Sequence, residues 1–205
     1  MESLKQFEEL CQPDVRQKFF ARVDASSPSG HRSVTLKDFY ETAESIQLHD
    51  GVPEQIRDQF QTARNLIIYS WFYYPLNVTA ELCAYATAEH ALRIKAGKAS
   101  ARSSFRRLLK KAVEENWIRD EHFTHVKWKH ESLREYNESL PPEYRHPQSQ
   151  LAQDYCKVMT DTWPKLRNTL AHGNTFLHHG GDFTVRICAE LINQLFEKPK
   201  SAVGK

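Results

Sequence analysis

The sequence has little glycine and lacks the long apolar runs of a membrane protein. Of its 205 residues only 7 are Gly and 9 are Pro. A β-sandwich of this length normally needs more turn residues, so a helical fold is favoured. The longest nearly apolar run, Leu66 to Leu76, is far shorter than the roughly 20 residues that cross a bilayer. We therefore expect a helical chain that makes no contact with a membrane.

The cysteines do not form a recognisable framework. Cys11, Cys83, Cys156 and Cys188 are widely separated, and no two of them form a CxxC pair. The first ten residues, MESLKQFEEL, have neither the basic segment nor the apolar stretch of a secretory signal. Without such a signal, reduced buried thiols are favoured over disulfides. We expect a cytoplasmic protein.

Several classes of site are absent from the sequence. There is no glycine-rich phosphate loop, no GxSxG elbow and no pair of carboxylates in an acid–base context. The histidines do not show a metal-ligand spacing, so we predict neither a metal nor another cofactor. Lys and Arg exceed Asp and Glu by only two, 28 against 26, which excludes a histone-like character but permits a local basic patch.

Apolar residues recur at helical spacing along most of the chain. The longest periodic stretches predict four helices, near residues 54–74, 77–96, 151–173 and 184–197. Four such helices, each with an apolar face, predict an all-α bundle. A further amphipathic stretch, 101–117, predicts an inserted helical segment.

The other segments lie outside this predicted bundle. Leu4–Leu10 and Val15–Val23 are predicted as short helices, and Thr35 as the N-cap of another helix. The polar stretch 129–150 contains three prolines and is predicted to be a long excursion. We therefore divide the chain into an N-terminal helical extension (1–53), a helical domain (54–197) and a flexible tail (198–205).

The segment LRNTLAHG, residues 166–173, brings a basic side chain, an amide and an imidazole together at a predicted helix end. Asn168 and His172 are four residues apart and share one helix face. An imidazole can move protons near neutral pH, and a guanidinium such as that of Arg167 can hold a phosphate. These groups suit metal-free cleavage of RNA, in which the 2′-hydroxyl of the substrate attacks the adjacent phosphorus. Because cations also stabilise a helix C-terminus, a purely structural role explains the same spacing.

The sequence RNTLAHG at the end of an amphipathic helix resembles the signature of the HEPN superfamily. Arg167, Asn168 and His172 match that signature position by position. The stretch 79–95 resembles the second helix of such domains, and 105–118 is similar to a segment often inserted after it. The resemblance covers roughly residues 54–197.

This resemblance implies a fold, an activity and partners. The fold is a HEPN-like four-helix bundle that forms a homodimer in which two copies of the motif face each other. The activity is metal-independent endoribonuclease cleavage of the kind found in toxins and in antiphage or abortive-infection effectors. His172 would act as acid or base, Arg167 would stabilise the phosphate transition state, and Asn168 would support them. Control by an antitoxin or a sensor protein is also implied.

Other cations and aromatic residues are candidates for RNA contact. Arg102, Arg106 and Lys110 recur every four residues on one helix face and are predicted to bind the RNA backbone, although a solvated basic face has the same pattern. Lys127 and Trp128 place a ring beside a cation, which suits stacking of an unpaired base. More often, a Trp in such a setting is partly buried and structural.

Two acidic residues are candidates for supporting the motif. Glu81 and Glu89 are two helical turns apart on the predicted second helix of the bundle. Either of them would pair with Arg167 or orient His172 if it faced the motif. A plain salt bridge on the helix surface is the simpler interpretation.

Two functions other than a nuclease are left open by the sequence. A non-catalytic HEPN-like module would use Arg167 and His172 to bind a partner protein, RNA or a nucleotide. A purely structural bundle would use Arg167 for stability and residues 1–53 as an interaction arm. Cleavage of RNA in the presence of a chelator would distinguish the nuclease from both.

Overall fold

A computed structural model describes residues 4–100, 102–147, 154–173 and 180–197. Within these ranges the chain is mostly helical, and its helices are Leu36–Ser45 (α1), Glu54–Tyr69 (α2), Leu76–Ala96 (α3), Phe105–Glu114 (α4), Thr124–Ser139 (α5), Tyr155–Ala171 (α6) and Gly181–Phe196 (α7). Two short strands, Ala21–Val23 (β1) and His31–Ser33 (β2), pair antiparallel with Ala21 opposite Ser33. The all-α prediction is therefore confirmed as a fold class, apart from this hairpin. The predicted tail, 198–205, lies outside the described residues.

Helix α3 forms the centre of the molecule. It packs against α2 and α7 most extensively and also against α4 and α6. Ala80, Ala84, Ala88 and Ala91 are fully buried, and their small side chains allow neighbouring helices to approach closely. Because α3 is buried on most sides, polar residues on it are carried into the interior, where they need partners.

Helices α4 and α6 pack against each other and run antiparallel. The buried face of α4 is formed by Phe105, Leu108, Leu109 and Ala112. Asp120, which follows α4, accepts hydrogen bonds from the backbone N–H groups that begin α6, at 2.7 and 2.8 Å. The start of α4 consequently lies beside the end of α6, where the motif is found.

The N-terminal extension is tied to the turn between α2 and α3. Asp14 Oδ2 accepts a hydrogen bond from the N–H of Tyr74 at 2.9 Å, and Gln17 Nε2 donates to the carbonyl oxygen of Ser70 at 3.0 Å. Phe20 stacks on Tyr74 with ring centroids 5.8 Å apart. Part of the aromatic run at residues 69–74 therefore serves the packing of this extension.

Three predictions outside the bundle are wrong. Leu4–Leu10 forms only a 3₁₀ turn, at Phe7–Glu9. Val15–Val23 forms a 3₁₀ turn as far as Phe19 and then strand β1, because the main chain there pairs with β2. The excursion predicted at 129–150 is helical as far as Ser139, because its prolines follow the last turn of α5 and end the helix instead of interrupting it.

Candidate active site

The Arg167–His172 motif occupies the last turn and the C-cap of α6. The N–H of His172 donates to the carbonyl oxygen of Asn168 at 2.9 Å and closes that turn. Gly173 follows with a φ of +83°, the left-handed conformation that ends many helices and favours glycine. The helix end predicted here is confirmed, and both Asn168 and His172 are exposed at it.

Arg167 is anchored to α3 by an ion pair. Its Nη2 lies 3.0 Å from Glu89 Oε2, and Arg93 Nη2 lies 2.5 Å from the other carboxylate oxygen of Glu89. The Glu89 side chain is only 11% exposed, whereas Arg167 is 34% and Arg93 is 32% exposed. A carboxylate this buried needs compensating charge, which the two guanidinium groups supply. Glu89 therefore fixes the position of Arg167.

The Arg167 guanidinium is not saturated by these contacts. Nη1 donates to Asn168 Oδ1 at 3.2 Å. Nε is buried and has no hydrogen-bond partner among the described residues. A guanidinium carries five N–H donors; because Nε is buried, the donors that these contacts leave for an anionic ligand are the second N–H of Nη1 and of Nη2.

A cleft of about 440 Å³ opens beside Arg167, between the start of α4 and the second half of α6. Its lining consists of Glu89, Ser104, Phe105, Arg106, Pro164, Lys165, Arg167 and Asn168. Three of these side chains are cationic and one is a carboxylate, so the cleft carries a net positive charge. A cleft of this size is within the range that small-molecule and nucleotide sites occupy.

The three basic residues predicted on α4 have different surroundings. Arg106 borders the cleft and forms an ion pair with Asp161 of α6, with Nη2 2.9 Å from Oδ1. Arg102 and Lys110 are exposed. The structure thus brings Arg106 to the motif and leaves Lys110 on the outer face of α4. The predicted stripe is wrong for Arg102, because Ser104 caps the helix and α4 begins only at Phe105.

Lys127 and Trp128 are not brought to the motif. They lie in the first half of α5, whose start packs near Tyr155, the first residue of α6. Arg167 follows Tyr155 by twelve residues, about 18 Å at a rise of ~1.5 Å per residue. Trp128 is 69% exposed, so it is not the partly buried structural residue that was the alternative interpretation.

Glu81 and Glu89 contact different partners and have different roles. Glu81 is buried and accepts a hydrogen bond from the Thr184 hydroxyl at 2.9 Å, which ties α3 to the start of α7. Only Glu89 reaches Arg167. The prediction that an acidic residue of this helix pairs with Arg167 therefore holds for Glu89, whereas Glu81 has a different partner.

Sequence analysis did not single out Arg93, Asp161 or Lys165. Arg93 follows Glu89 by one helical turn, and this (i, i+4) spacing is a signal for an ion pair. Lys165 precedes the motif by two residues and lines the cleft. Asp161 could not be found from the sequence, because its partner, Arg106, lies on another helix.

A histidine outside the motif is packed among aromatic rings. His125 lies with its ring centroid 4.6 Å from that of Tyr155 and 5.2 Å from that of Phe183. Burial lowers the pKa of His125, with nearby Glu190 raising and Lys129 lowering it to smaller extents. This cluster holds the start of α5 against α6 and α7.

A metal cluster and a membrane-spanning helix are both absent from the described ranges. No three His, Cys, Asp or Glu side chains there lie close enough together to hold a metal ion. None of the helices described is both long and apolar enough to cross a membrane. His178 and His179 lie outside these ranges.

Comparison of the chain with protein-family models, with curated proteins and with solved structures finds no significant match. The resemblance to HEPN domains therefore depends on the motif and the helices around it. Any function must be argued from the side chains themselves, because a fold alone does not define an activity.

Proposed function

We propose that this chain is a metal-independent RNA endonuclease of the HEPN type. Arg167 and His172 are the catalytic residues, and Asn168 supports them. The observation that carries the proposal is the position of Arg167: a buried carboxylate on α3 fixes its guanidinium beside a cationic cleft. The exposed His172 follows five residues later at the C-cap of α6, outside the cleft lining.

In the proposed reaction the ribose 2′-hydroxyl attacks the adjacent phosphorus. A neutral histidine removes the 2′-hydroxyl proton as the new O–P bond forms. The P–O5′ bond then breaks, and the leaving 5′-oxygen takes a proton from an imidazolium. Arg167 donates hydrogen bonds to the phosphate oxygens, where negative charge accumulates in the transition state. The products are a 2′,3′-cyclic phosphate and a 5′-hydroxyl.

The reaction uses a base and an acid, and a second copy of the chain would supply the second imidazole. A two-fold axis beside the motif would bring two His172 and two Arg167 side chains together. The exposed face of α6 offers a surface for such contact, because Val158 and Leu166 are 48% and 50% exposed and Thr162 lies between them at helical spacing. A homodimer across α6 is therefore part of the proposal.

RNA would reach the site across the cations of α4. Arg106 borders the cleft, Lys110 follows it one turn along α4, and the exposed Arg102 lies in the turn before the helix. RNA stacking on Trp128 stays a prediction from the sequence, since that residue lies at the opposite end of α6. A toxin or antiphage role restrained by an antitoxin or sensor is the biological setting that the family resemblance supports.

A second candidate function is RNA or nucleotide binding without cleavage. It is favoured by the same ion pair, because Glu89 neutralises part of the Arg167 charge that the transition state would use. The two functions differ in whether a covalent bond is broken, so one assay separates them.

The test is cleavage of a mixed-sequence RNA in EDTA by purified wild-type protein, Arg167→Ala and His172→Ala. Arg134→Ala and His146→Ala, which change exposed residues near α5, are matched controls. We expect wild type and controls to produce cyclic-phosphate ends and the two motif variants to lose at least a hundredfold in rate. RNA binding without cleavage by any of the proteins would support the second candidate.

A further inference from the structure

Lys95 and Lys111 hold their ammonium groups against the same indole ring. Lys95 Nζ lies 5.8 Å and Lys111 Nζ lies 5.5 Å from the ring centroid of Trp117. These residues come from the end of α3, from α4 and from the segment after α4, so three separate parts of the chain meet here. We call Lys95, Lys111 and Trp117 the Trp117 platform.

The platform concentrates positive charge. The two ammonium nitrogens lie within about 11 Å of each other, because both approach one ring centroid at the distances just given. In the part of the chain that the structure describes, neither lysine has a carboxylate oxygen within the 4.0 Å of an ion pair. Glu114 and Glu115, at the end of α4, are the acidic residues nearest in the sequence to Lys111 and Trp117, and Glu89 is the nearest to Lys95. Like charges held together in this way attract a polyanion.

The platform and the cleft beside the motif are linked by the outward, basic face of α4. Arg106 lines that cleft, and Arg107, Lys110 and Lys111 follow it along α4. The rise from Arg106 to Lys111 is about 8 Å. The opposite face of α4 is buried against α3 and α6, and Arg106 and Lys111, about 140° apart around the helix axis, lie at the two edges of its outward face, with Arg107 and Lys110 between them.

We propose that the Trp117 platform is a second contact site for the RNA backbone, remote from the bond that is cut. The proposal rests on the nuclease function above. A phosphodiester chain fits this surface because the two lysines present their charges on an open surface without a shape-specific pocket, as in sequence-independent phosphate binding. The indole fixes the two lysines by cation–π contact, so they are positioned before RNA arrives.

The test measures the binding of a fluorescent 2′-O-methyl RNA, which cannot be cut because it lacks the 2′-hydroxyl nucleophile. Anisotropy titrations at several salt concentrations compare the wild-type chain, Lys95→Gln/Lys111→Gln and the control pair Lys18→Gln/Lys37→Gln, which changes two lysines of the N-terminal region. Each lost phosphate contact lowers the slope of log Kd against log salt by ~0.7 for a single strand. We therefore expect the platform variant to lose about 1.4 from the slope and the control pair to match wild type.

Cleavage assays with the same proteins extend the test. On a long RNA the platform variant should show a KM raised about tenfold with an unchanged kcat, while a dinucleotide, too short to reach the platform, should be cut at the wild-type rate. A wild-type slope and KM in the platform variant would overturn the inference. Polyglutamate serves as a probe for an acidic protein partner. If the platform variant lost binding to polyglutamate but bound RNA like the wild type, the inference would also be overturned, since an acidic protein would then be the partner.

Different results contradict the platform proposal and the nuclease proposal. If the wild-type protein cuts RNA and the cleavage depends on His172, but the platform variant behaves like the control pair, the platform proposal is wrong and the nuclease proposal is supported. If the platform variant loses RNA affinity while no protein cuts RNA, the platform is a binding surface and the nuclease is wrong.

Discussion

Replacing Glu89 by Gln removes the charge that anchors Arg167 while keeping the shape of the side chain. The Glu89 carboxylate is 11% exposed and contacts two guanidinium groups, each about one-third exposed. A hydrogen bond to a charged group contributes about 1.5–3 kcal/mol, and breaking a fully buried ion pair costs about 3–5 kcal/mol. Because water can partly solvate both arginines, we expect a loss near the lower end, about 2 kcal/mol in the free energy of unfolding.

Thermal unfolding followed by circular dichroism measures this loss. For a chain of this size 1 kcal/mol corresponds to about 2–4 °C, so Glu89→Gln should lower Tm by about 4–8 °C. Glu131→Gln, which changes an exposed residue of α5, should leave Tm unchanged. The double variant Glu89→Gln/Arg167→Gln should lose less free energy of unfolding than the sum of the losses in the two single variants, since the two residues share one interaction. A Tm within about 1 °C of wild type for Glu89→Gln would refute the anchoring argument.

Three further predictions concern stability, pH and assembly. Asp38 accepts a hydrogen bond from Arg32 at 2.7 Å, and this contact holds the pKa of Asp38 well below its usual range. Asp38→Asn should therefore lower the free energy of unfolding at pH 7 by about 2–3 kcal/mol. In urea titrations this difference should shrink as the pH falls below the pKa of Asp in the unfolded chain, near 3.9. Burial lowers the pKa of His125, so the imidazole binds a proton more readily in the unfolded chain than in the folded one. The Tm of the wild-type protein should therefore fall as the pH drops below about 6.5. A fall of the same size in His125→Phe would show that His125 is not responsible. Leu166→Glu, on the exposed face of α6, should give a monomer in size-exclusion chromatography with light scattering and abolish RNA cleavage, and an active monomer would disprove the shared site.

The bundle helices could be predicted because their apolar residues repeat at helical spacing over many turns. The end of α6 was also predictable, since Gly173 provides a stop signal that lies next to the motif in the sequence. The hairpin was not, because β1 and β2 have three residues each and are exposed, so no alternation of apolar and polar residues marks them. The polar composition of α5 hid that helix, of which only Val126 is buried.

The candidate site was predictable only where its residues are close in the sequence. Arg167, Asn168 and His172 lie on one turn and a cap, and their grouping follows from helix geometry. The choice of Glu89 over Glu81 depends on which side of α3 meets α6 and which meets α7. That is a property of tertiary packing. The positions of Glu81 and Glu89 along an isolated helix do not reveal which neighbouring helix each residue faces. The pairing of Arg106 with Asp161 is long-range for the same reason.

The most direct test of the central claim is the rate of RNA cleavage in EDTA by wild-type protein and His172→Ala, with the product ends identified. The proposed nuclease gives 2′,3′-cyclic phosphate ends with the wild-type protein and a rate at least a hundredfold lower with the variant, with an unchanged circular dichroism spectrum. Equal cleavage by the two proteins would contradict it.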